Sequence, residues 1–198
     1  MKSNFLYESM WNDEDAEWYA ENYGEHFSTT LAIKLANIKA SDIVLDIGCG
    51  SGNSCRIAAE LITVGQIIGI DPTPRMIKIA KKLTLGYSKK NYIRFLNGSA
   101  EHIPLINESV NIAFAINSFY HWHNFKKGLS EIKRVLKTNG KFFIADQLKN
   151  DLSTNGEGKL GDPENMILFM EKSGFINTTY SKHKNKDERM IFFSSKKS

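Results

Sequence analysis

The sequence has no long apolar run, few cysteines and only a small excess of charge. No stretch of its 198 residues approaches the roughly 18 consecutive apolar residues that a membrane-spanning helix needs. Polar residues such as Glu8 and Asn12 follow the amino terminus at once, which argues against the apolar core of a signal peptide. We therefore expect a cytoplasmic protein with no membrane span.

The two cysteines, Cys49 and Cys55, lie six residues apart beside a glycine-rich turn. A disulfide between them would cross the ligand site that this turn predicts, so we expect reduced thiols in a reducing compartment. Two cysteines without nearby ligands make a poor zinc site. His121 and His123 also have no third ligand in view, so we expect no bound metal.

The formal net charge is +4, and the lysines that produce it are scattered along the chain. A nucleic-acid-binding surface needs a basic face with interleaved aromatic residues, and the sequence contains none. It also lacks internal repeats and low-complexity tracts. We therefore expect no nucleic-acid partner, and a chain of this length suits one domain with a sizeable core.

The centre of the chain alternates between short apolar segments and segments of helical periodicity. The apolar segments predict strands at 43–47, 66–70, 92–96, 110–116 and 141–145. Between them, a helix is predicted over 74–83, capped by Thr73, and another from Phe125 to a stop at Asn139-Gly140. Apolar strands separated by amphipathic helices indicate a parallel sheet covered on both faces.

Polar residues mark the ends of three predicted strands. Asp46 lies near the end of the first strand, Asp71 follows the second and Asn117 follows the fourth. Right-handed crossovers place the carboxyl ends of parallel strands on one edge, and open α/β sheets bind ligands at that edge. We therefore expect the three side chains to lie near one ligand.

The first strand runs into a turn that contains Gly48, Gly50 and Gly52. Such a turn lets backbone N–H groups and a helix N-terminus approach a ligand closely. Asp46 would repel a pyrophosphate, and Asn53 stands where the dinucleotide-binding fingerprint has its third glycine. The pattern disfavours NAD and favours a nucleoside-like ligand that carries an ammonium group.

Asp71 lies 25 residues after Asp46. A carboxylate at the end of the second strand can accept hydrogen bonds from both ribose hydroxyls. An aspartate at a strand end can also simply cap the next turn. Together with Asp46 and the glycine turn, the ribose interpretation is favoured.

The two ends of the chain differ from its centre. Residues 1–40 are predicted to be helical, with Ala16, Tyr19, Tyr23 and Phe27 on one face. We interpret this segment either as a lid that turns Tyr19 or Tyr23 towards the site, or as a packed covering helix, which the periodicity favours. Near the other end we predict a loop at 149–163, a helix at 164–173 and a hairpin from 175–180 and 189–194.

Four segments in register resemble the class I S-adenosylmethionine-dependent methyltransferases, over roughly residues 40–195. They are Asp46-x-Gly48-x-Gly50-x-Gly52, Gly69-Ile70-Asp71-Pro72, residues 98–105 and residues 131–141. The chain is most similar to the small-molecule enzymes of the ubiquinone and menaquinone biosynthesis type. The resemblance implies a Rossmann-like three-layer α/β sandwich whose seven-stranded mixed sheet has an antiparallel last strand. With the chain length and the helical pattern of its first 40 residues, we expect a single domain (1–198) with a helical cover (1–40) and a cofactor-binding core (41–198).

The resemblance also implies roles for individual residues towards S-adenosylmethionine. Asp46 would hold the methionine ammonium, directly or through water, and Asp71 would accept the ribose hydroxyls. The remaining positions would line the amino-acid part, ribose and adenine: Gly48, Cys49, Gly50, Pro72, Ser99, Ala100 and Asn117. Ser99 departs from the family, which usually has an acid there to accept from the adenine amino group. Its hydroxyl is a weaker acceptor, so cofactor affinity is modest or Glu101 substitutes.

Methyl transfer needs a base only where the acceptor must lose a proton. The candidates are His121 and His123, which follow Asn117 at the ligand edge, because an imidazole titrates near neutral pH. The alternative is a loop cap or a packed histidine. We expect the chain to transfer a methyl group to a small-molecule acceptor. Its rivals are a non-catalytic sensor or partner subunit that binds S-adenosylmethionine and, less favoured, an NAD-dependent oxidoreductase.

Overall fold

The computed structural model describes residues 11–22, 26–148, 162–186 and 188–198, and it contains a seven-stranded sheet. The strands are β1 (Ile43–Ile47), β2 (Gln66–Asp71), β3 (Ile93–Asn97), β4 (Val110–Ile116), β5 (Leu136–Gln147), β6 (Phe175–Lys184) and β7 (Arg189–Lys197). Their order across the sheet is β3-β2-β1-β4-β5-β7-β6. Strands β1 to β5 pair in parallel, whereas β7 is antiparallel to β5 and β6. The predicted mixed sheet with an antiparallel last strand is confirmed.

Helices cover both faces of this sheet. They are α1 (Asp13–Asn22), α2 (Phe27–Leu35), α3 (Asn53–Ala59), α4 (Pro74–Thr84), α5 (Phe125–Val135) and α6 (Pro163–Lys172). One buried cluster joins α2, α3 and α4 to one face, and a second joins α5 and α6 to the other. Helix α1 lies against α4. The predicted three-layer sandwich is therefore also confirmed.

Burial on both faces of the sheet explains why strand β1 is apolar except for Asp46. Val44 packs into the cluster under α3, whereas Leu45 and Ile47 pack into the cluster under α5. All three side chains are almost fully buried, and burying each contributes about 1.5–3 kcal/mol. By the same alternation Asp46 faces α3.

Helix α4 begins as predicted with Pro74 in its first turn, but Thr73 does not cap it. The Thr73 hydroxyl instead accepts a hydrogen bond from the Trp11 backbone N–H at 3.2 Å. At the start of α5, by contrast, a side chain does cap the helix. Asn124 Oδ1 accepts a hydrogen bond from Lys127 N at 3.0 Å. Thr73 is therefore turned towards the amino-terminal segment.

Helix α5 ends earlier than its periodicity predicts. We expected Asn139-Gly140 to stop the helix, but α5 ends at Val135 and β5 starts at Leu136. Leu136 is fully buried and pairs with Val110 of β4. The residues up to Gly140 then bulge out of the sheet, with Asn139 at a φ of 63°. Pairing with β4 therefore ends the helix, and Asn139-Gly140 serves a turn within the strand.

The carboxyl-terminal elements agree with the predicted helix and hairpin. Helix α6 ends near Gly174, which has a φ of 84°, and the hairpin strands extend beyond the predicted segments. Most of the loop predicted at 149–163 lies outside the described residues, as do Tyr23 and residues 1–10 of the predicted helical cover. None of the helices in the described part of the chain is long and apolar enough to cross a bilayer.

Candidate functional site

A cavity lies at the carboxyl edge of the sheet, where β1, β2 and β4 end. Its volume is about 990 Å³, open mouth included. Most of the predicted site residues line it: Gly48, Cys49, Gly50, Asp71, Pro72, Ser99, Ala100, Asn117 and His121. Two do not, Asp46 and His123. The sheet therefore brings most of the predicted site residues to one cavity, but neither Asp46 nor His123.

The turn after β1 comes close to the cavity because its glycines adopt left-handed conformations. Gly48 has a φ of 74°, and a Cβ there would lie 2.6 Å from the Cβ of Ser118. Gly50 has a φ of 50°, and within the described residues no atom lies within 4 Å of where its Cβ would be. A side chain at Gly50 would strain the backbone and fill space beside the cavity. The turn therefore forms a cradle that depends on these glycines.

The backbone amides of this turn are engaged within the protein. Gly48 N and Cys49 N both donate to Ile70 O at 2.9 Å, and Gly50 N donates to Asp71 Oδ2 at 2.9 Å. These bonds join the turn to β2. A ligand at these three residues therefore meets the Cα and carbonyl surface of the turn, whereas the sequence predicted exposed N–H groups.

Asp71 is fixed from both sides at the end of β2. Its Oδ2 accepts from Gly50 N, and its Oδ1 accepts from Thr73 N, each at 2.9 Å. Burial raises the pKa of Asp71, and its hydrogen bonds with Thr73 and Gly50 oppose that rise. Each carboxylate oxygen has a second lone pair. Asp71 can therefore accept two further hydrogen bonds in a fixed orientation.

Asp46 points into the protein, towards the start of α3. Its Oδ2 accepts hydrogen bonds from the Ser54 hydroxyl and from Cys55 Sγ. Its Oδ1 is buried and has no hydrogen-bond partner among the residues that the structure describes. Burial raises the pKa of Asp46 to about 6, and the charge of Asp71 adds to this rise. Ser54, but not Asp46, lines the cavity.

Asn117 and Ser118 occupy a strained turn after β4. Asn117 has a φ of 52° and donates from Nδ2 to Ser28 Oγ of α2 at 2.8 Å. Its buried Oδ1 has no partner in the described part of the chain. The Ser118 hydroxyl donates to Ile47 O at 2.5 Å. This turn therefore links the ends of β4 and β1 to α2 and leaves one acceptor oxygen unused.

The segment after β3 supplies another wall of the cavity. Ser99 is held by paired backbone hydrogen bonds with His102, and Ala100 is buried against the core. Glu101 Oε1 accepts from His123 N at 2.9 Å and from Asn124 N at 3.1 Å. Glu101 therefore lies at the cavity, but that oxygen already holds the amides at the start of α5.

The two histidine candidates separate in space. His121 ends a single 3-10 turn (Phe119–His121) and lines the cavity. His123 lies two residues further, is exposed and does not line the cavity. Its backbone amide donates to Glu101, so the segment carrying His123 is directed towards the start of α5. Of the two predicted catalytic residues, only His121 lies at the cavity.

Residues 11–22, the first described part of the amino-terminal cover, contribute to one side of the cavity. Trp11 and Tyr19 both line it, with their ring centroids 4.5 Å apart and nearly perpendicular. Arg75 of α4 forms a salt bridge with Glu17 of α1. Helix α1 thus packs on α4 while Tyr19 lines the cavity.

The sequence did not predict several of the cavity residues as site residues, although it gave Thr73 a role as a helix cap. Ser54, Thr73 and Ser118 each hold an aspartate or a strand end, and Trp11 and Met76 complete the walls. A small hydroxyl residue two positions after a strand end or a glycine is the signal that could have found the first three. Trp11 carried a weaker signal, as one aromatic residue among many.

Cys49 and Cys55 are both free and buried. The pKa of Cys49 lies well above its ordinary value because of its interaction with Cys55 and its burial. Among the residues that the structure describes, no group of three His, Cys, Asp or Glu side chains could hold a metal ion.

The chain resembles known proteins in sequence and in fold. Residues 45–144 match the family described as "Methyltransferase domain". An uncharacterized methyltransferase YcgJ from Bacillus subtilis is 30% identical over 135 residues, 67% of this chain and 52% of that protein. A demethylmenaquinone methyltransferase from Lactobacillus johnsonii is 31% identical over 137 residues, 69% of this chain and 55% of that protein. The chain thus spans about half the length of these curated relatives.

Solved structures show the same architecture. A SAM dependent methyltransferase from Aquifex aeolicus superposes with a TM-score of 0.75 at 20% identity, covering 95% of this chain and 100% of that one. At such identity the likeness concerns the fold alone. The sequence match includes the glycine turn, Asp71 and the strands that carry the cavity. The chain belongs to the methyltransferase domain family.

Proposed function

We propose that this protein transfers a methyl group from S-adenosylmethionine to a small-molecule acceptor. The observation that carries the proposal is Asp71, fixed at the end of β2 by Gly50 N and Thr73 N. It lies beside a positive-φ glycine cradle that opens onto the cavity. Family membership supports the same donor. When bound, S-adenosylmethionine supplies a methyl group already activated on a sulfonium.

The residues present fit this cofactor. Asp71 accepts the two ribose hydroxyls on its free lone pairs, and the turn from Gly48 to Gly50 packs against the amino-acid part and ribose. Asp46 attracts the methionine ammonium from behind Ser54, either through a water molecule or after the Ser54 hydroxyl rotates. Its Oδ1, which finds no donor within the described ranges, supports this role, because a buried acceptor without a donor is costly.

The other predicted contacts complete the proposed binding mode. Pro72, Ser99 and Ala100 border the adenine, and Asn117 Oδ1 accepts from the methionine part. Where the methyl acceptor must lose a proton, His121 takes that proton. His123 has no part in the chemistry. The amino-terminal cover encloses both ligands within one domain.

Binding of S-adenosylhomocysteine, measured by calorimetry, tests this proposal. We expect Asp71→Asn to weaken binding about tenfold to a hundredfold, because each hydrogen bond to a charged group contributes about 1.5–3 kcal/mol. The amide oxygen still accepts one backbone N–H, which helps the turn to fold. Asp42→Asn is the matched control, since Asp42 precedes β1 at the opposite edge and holds Lys39 N. Absence of binding to the wild-type protein would refute the proposal.

The rival is a protein that binds the same cofactor without transferring its methyl group. Glu101 uses its Oε1 to hold the amides of His123 and Asn124, and Ser99 offers the adenine amino group a weaker acceptor than an acid would, so this rival predicts a modest cofactor affinity. Cofactor binding without turnover across a broad panel of acceptors would favour this rival. We also propose a reducing compartment such as the cytoplasm, which the two free thiols support.

A further inference from the structure

His26, the residue before the first turn of α2, lines the cavity together with Thr29. Its side chain makes no capping hydrogen bond to the helix, so the start of α2 does not depend on the imidazole. Asn117 donates to Ser28 Oγ at 2.8 Å, which places the start of α2 beside the turn after β4. His26, Thr29 and Asn117 thus form one corner of the cavity, called here the α2 corner.

The imidazole of His26 is held by polar side chains near the ends of β5 and β7. Gln147 Nε2 lies 3.1 Å from His26 Nδ1 and donates to Glu188 Oε1 at 3.4 Å. Glu188 Oε2 accepts from Phe27 N, in the first turn of α2, at 3.3 Å. This network therefore joins the last residue of β5 and the residue before β7 to the start of α2.

The network determines which ring nitrogen of His26 carries the proton. An ionised carboxylate only accepts hydrogen bonds, so the Gln147 amide turns its nitrogen, and not its oxygen, towards Glu188. The same nitrogen has a second hydrogen, which it donates to His26 Nδ1. Because Nδ1 is the acceptor, the proton of the neutral ring is on Nε2. His26 is therefore a hydrogen-bond donor through Nε2.

We propose that His26 Nε2 donates to the carboxylate of the amino-acid part of S-adenosylmethionine, and that Gln147 and Glu188 are positioning residues that keep it a donor. This inference rests on the proposed function and adds three residues to its cofactor site. Neither Gln147 nor Glu188 lines the cavity, so both act through His26. The carboxyl-terminal hairpin is thereby coupled to cofactor binding.

The charges beside the cofactor favour the α2 corner for a carboxylate. In the proposed function Asp46 attracts the ammonium group, and it repels the carboxylate of the same amino acid. Helix α2 begins at the α2 corner, and the N-terminus of a helix favours a negative charge. His26 Nε2 and the Thr29 hydroxyl supply two donors there. A His26 ring with its proton on Nδ1 would instead turn a lone pair towards the carboxylate and repel it.

Two ligands separate the amino-acid part from the rest of the cofactor. S-adenosylhomocysteine carries the carboxylate, whereas methylthioadenosine has the adenine, ribose and sulfur without it. By calorimetry, His26→Phe should weaken S-adenosylhomocysteine about tenfold or more and leave methylthioadenosine within about twofold. His26→Gln keeps an amide N–H donor and should restore most of the loss. Equal weakening of both ligands, or of neither, would overturn the role of His26.

Exchanging the amide and the carboxylate tests the positioning residues. In the double variant Gln147→Glu with Glu188→Gln, each side chain again has a partner, but a carboxylate now faces His26 and requires a proton on Nδ1. Nitrogen NMR of histidine-labelled protein at about pH 9, where imidazoles are neutral, should show the proton on Nε2 in the wild type and on Nδ1 in the double variant. The affinity for S-adenosylhomocysteine should fall at least about tenfold, with methylthioadenosine unchanged.

Glu171→Gln is the control for the exchange, because Glu171 lies on α6, is exposed and does not line the cavity. It should change neither the proton position nor either affinity. A wild-type proton on Nδ1, or a double variant that keeps the wild-type proton position, would overturn the inference. An affinity that does not follow the proton would overturn it as well. Failure of S-adenosylhomocysteine to bind the wild-type protein would instead refute the proposed function.

Discussion

At pH 8, replacing Asp46 with asparagine should make the protein slightly more stable and at the same time weaken its cofactor binding. Asp46 is 3% exposed, and its Oδ1 has no partner among the described residues. Ser54 and Cys55 donate to the other oxygen. Asparagine has almost the same shape and keeps an oxygen for these two donors. The substitution therefore removes the charge and changes little else in the packing.

The effect on stability depends on pH. Burial raises the pKa of Asp46 in the native state to about 6, from 3.8, so the folded protein binds this proton more tightly than the unfolded chain. Stability therefore falls as pH rises from about 4 to about 6 and stays low above that. A shift of about two pKa units is worth about 3 kcal/mol. The asparagine variant avoids this loss, but its new N–H donors lack a partner, at about 1–3 kcal/mol.

The difference in stability between Asp46→Asn and the wild type should therefore change sign with pH. At pH 8 Asp46→Asn should be more stable than the wild type by roughly 0–2 kcal/mol, which is the difference between the two effects. At pH 4 the wild-type carboxyl is protonated, so the variant should be the less stable of the two. The difference between the two proteins should thus change by about 3 kcal/mol between these pH values.

Cofactor binding should move in the opposite direction. An ionised Asp46 attracts an ammonium group, whereas the asparagine amide does so weakly. We expect the affinity for S-adenosylhomocysteine to fall about tenfold to a hundredfold, the equivalent of one hydrogen bond to a charged group. The wild-type affinity should also rise with pH through about 6, as the carboxyl ionises.

Urea unfolding at pH 4 and pH 8, with calorimetric titration of S-adenosylhomocysteine, measures both effects. Asp42→Asn is the control, because Asp42 lies at the opposite edge of the sheet and outside the cavity. A stability difference that does not change with pH would contradict the raised pKa of Asp46. An unchanged affinity would instead contradict its role towards the ammonium group.

Three further substitutions test the cradle, the histidine and the core. Gly50→Ala should cost about 1–2 kcal/mol through its positive φ and reduce cofactor affinity at least about tenfold, by calorimetry. Gly86→Ala, also in open space, should change neither quantity, and equal effects would refute the cradle. His121→Ala should slow turnover about a hundredfold or more if the acceptor loses a proton, whereas His123→Ala should not; equal rates would exclude His121 as the base. Leu129→Ala should lower the free energy of unfolding by about 2–5 kcal/mol in urea without changing cofactor affinity, since Leu129 is fully buried away from the cavity; a smaller loss would contradict its place in the core.

The sheet and the position of Asp71 at the cavity were predictable because they depend on local pattern and chirality. Strand β4 (Val110–Ile116) has the predicted limits, since its apolar run is buried on both faces. Asp71 reached the cavity because the carboxyl ends of parallel strands meet at one edge. In both cases a short sequence pattern, together with the fixed hand of the crossovers, is enough to predict the result.

Other features depend on contacts between distant residues, and the sequence could not supply them. Leu136 continues the helical periodicity of α5, but pairing with Val110 of β4 draws it into a strand. His123 differs from His121 only by two positions along one turn. Its direction is set by Glu101, 22 residues away, which binds its amide. The secondary structure of Leu136 and the position of His123 thus depend on residues that are distant in the sequence and adjacent in the fold.

Asp46 destabilises the empty protein and, in the proposed function, strengthens the binding of the cofactor. The repulsion between Asp46 and Asp71 and the burial of both carboxyls oppose folding. No lysine or arginine of the described chain lines the cavity to offset these charges, although such cations are plentiful elsewhere. A ligand that brings its own cation offsets them, and every such interaction adds to its affinity rather than to the stability of the empty protein. Filling the site with a protein cation would stabilise the fold and abolish that contribution. The charge pattern of the described residues therefore favours a cationic cofactor.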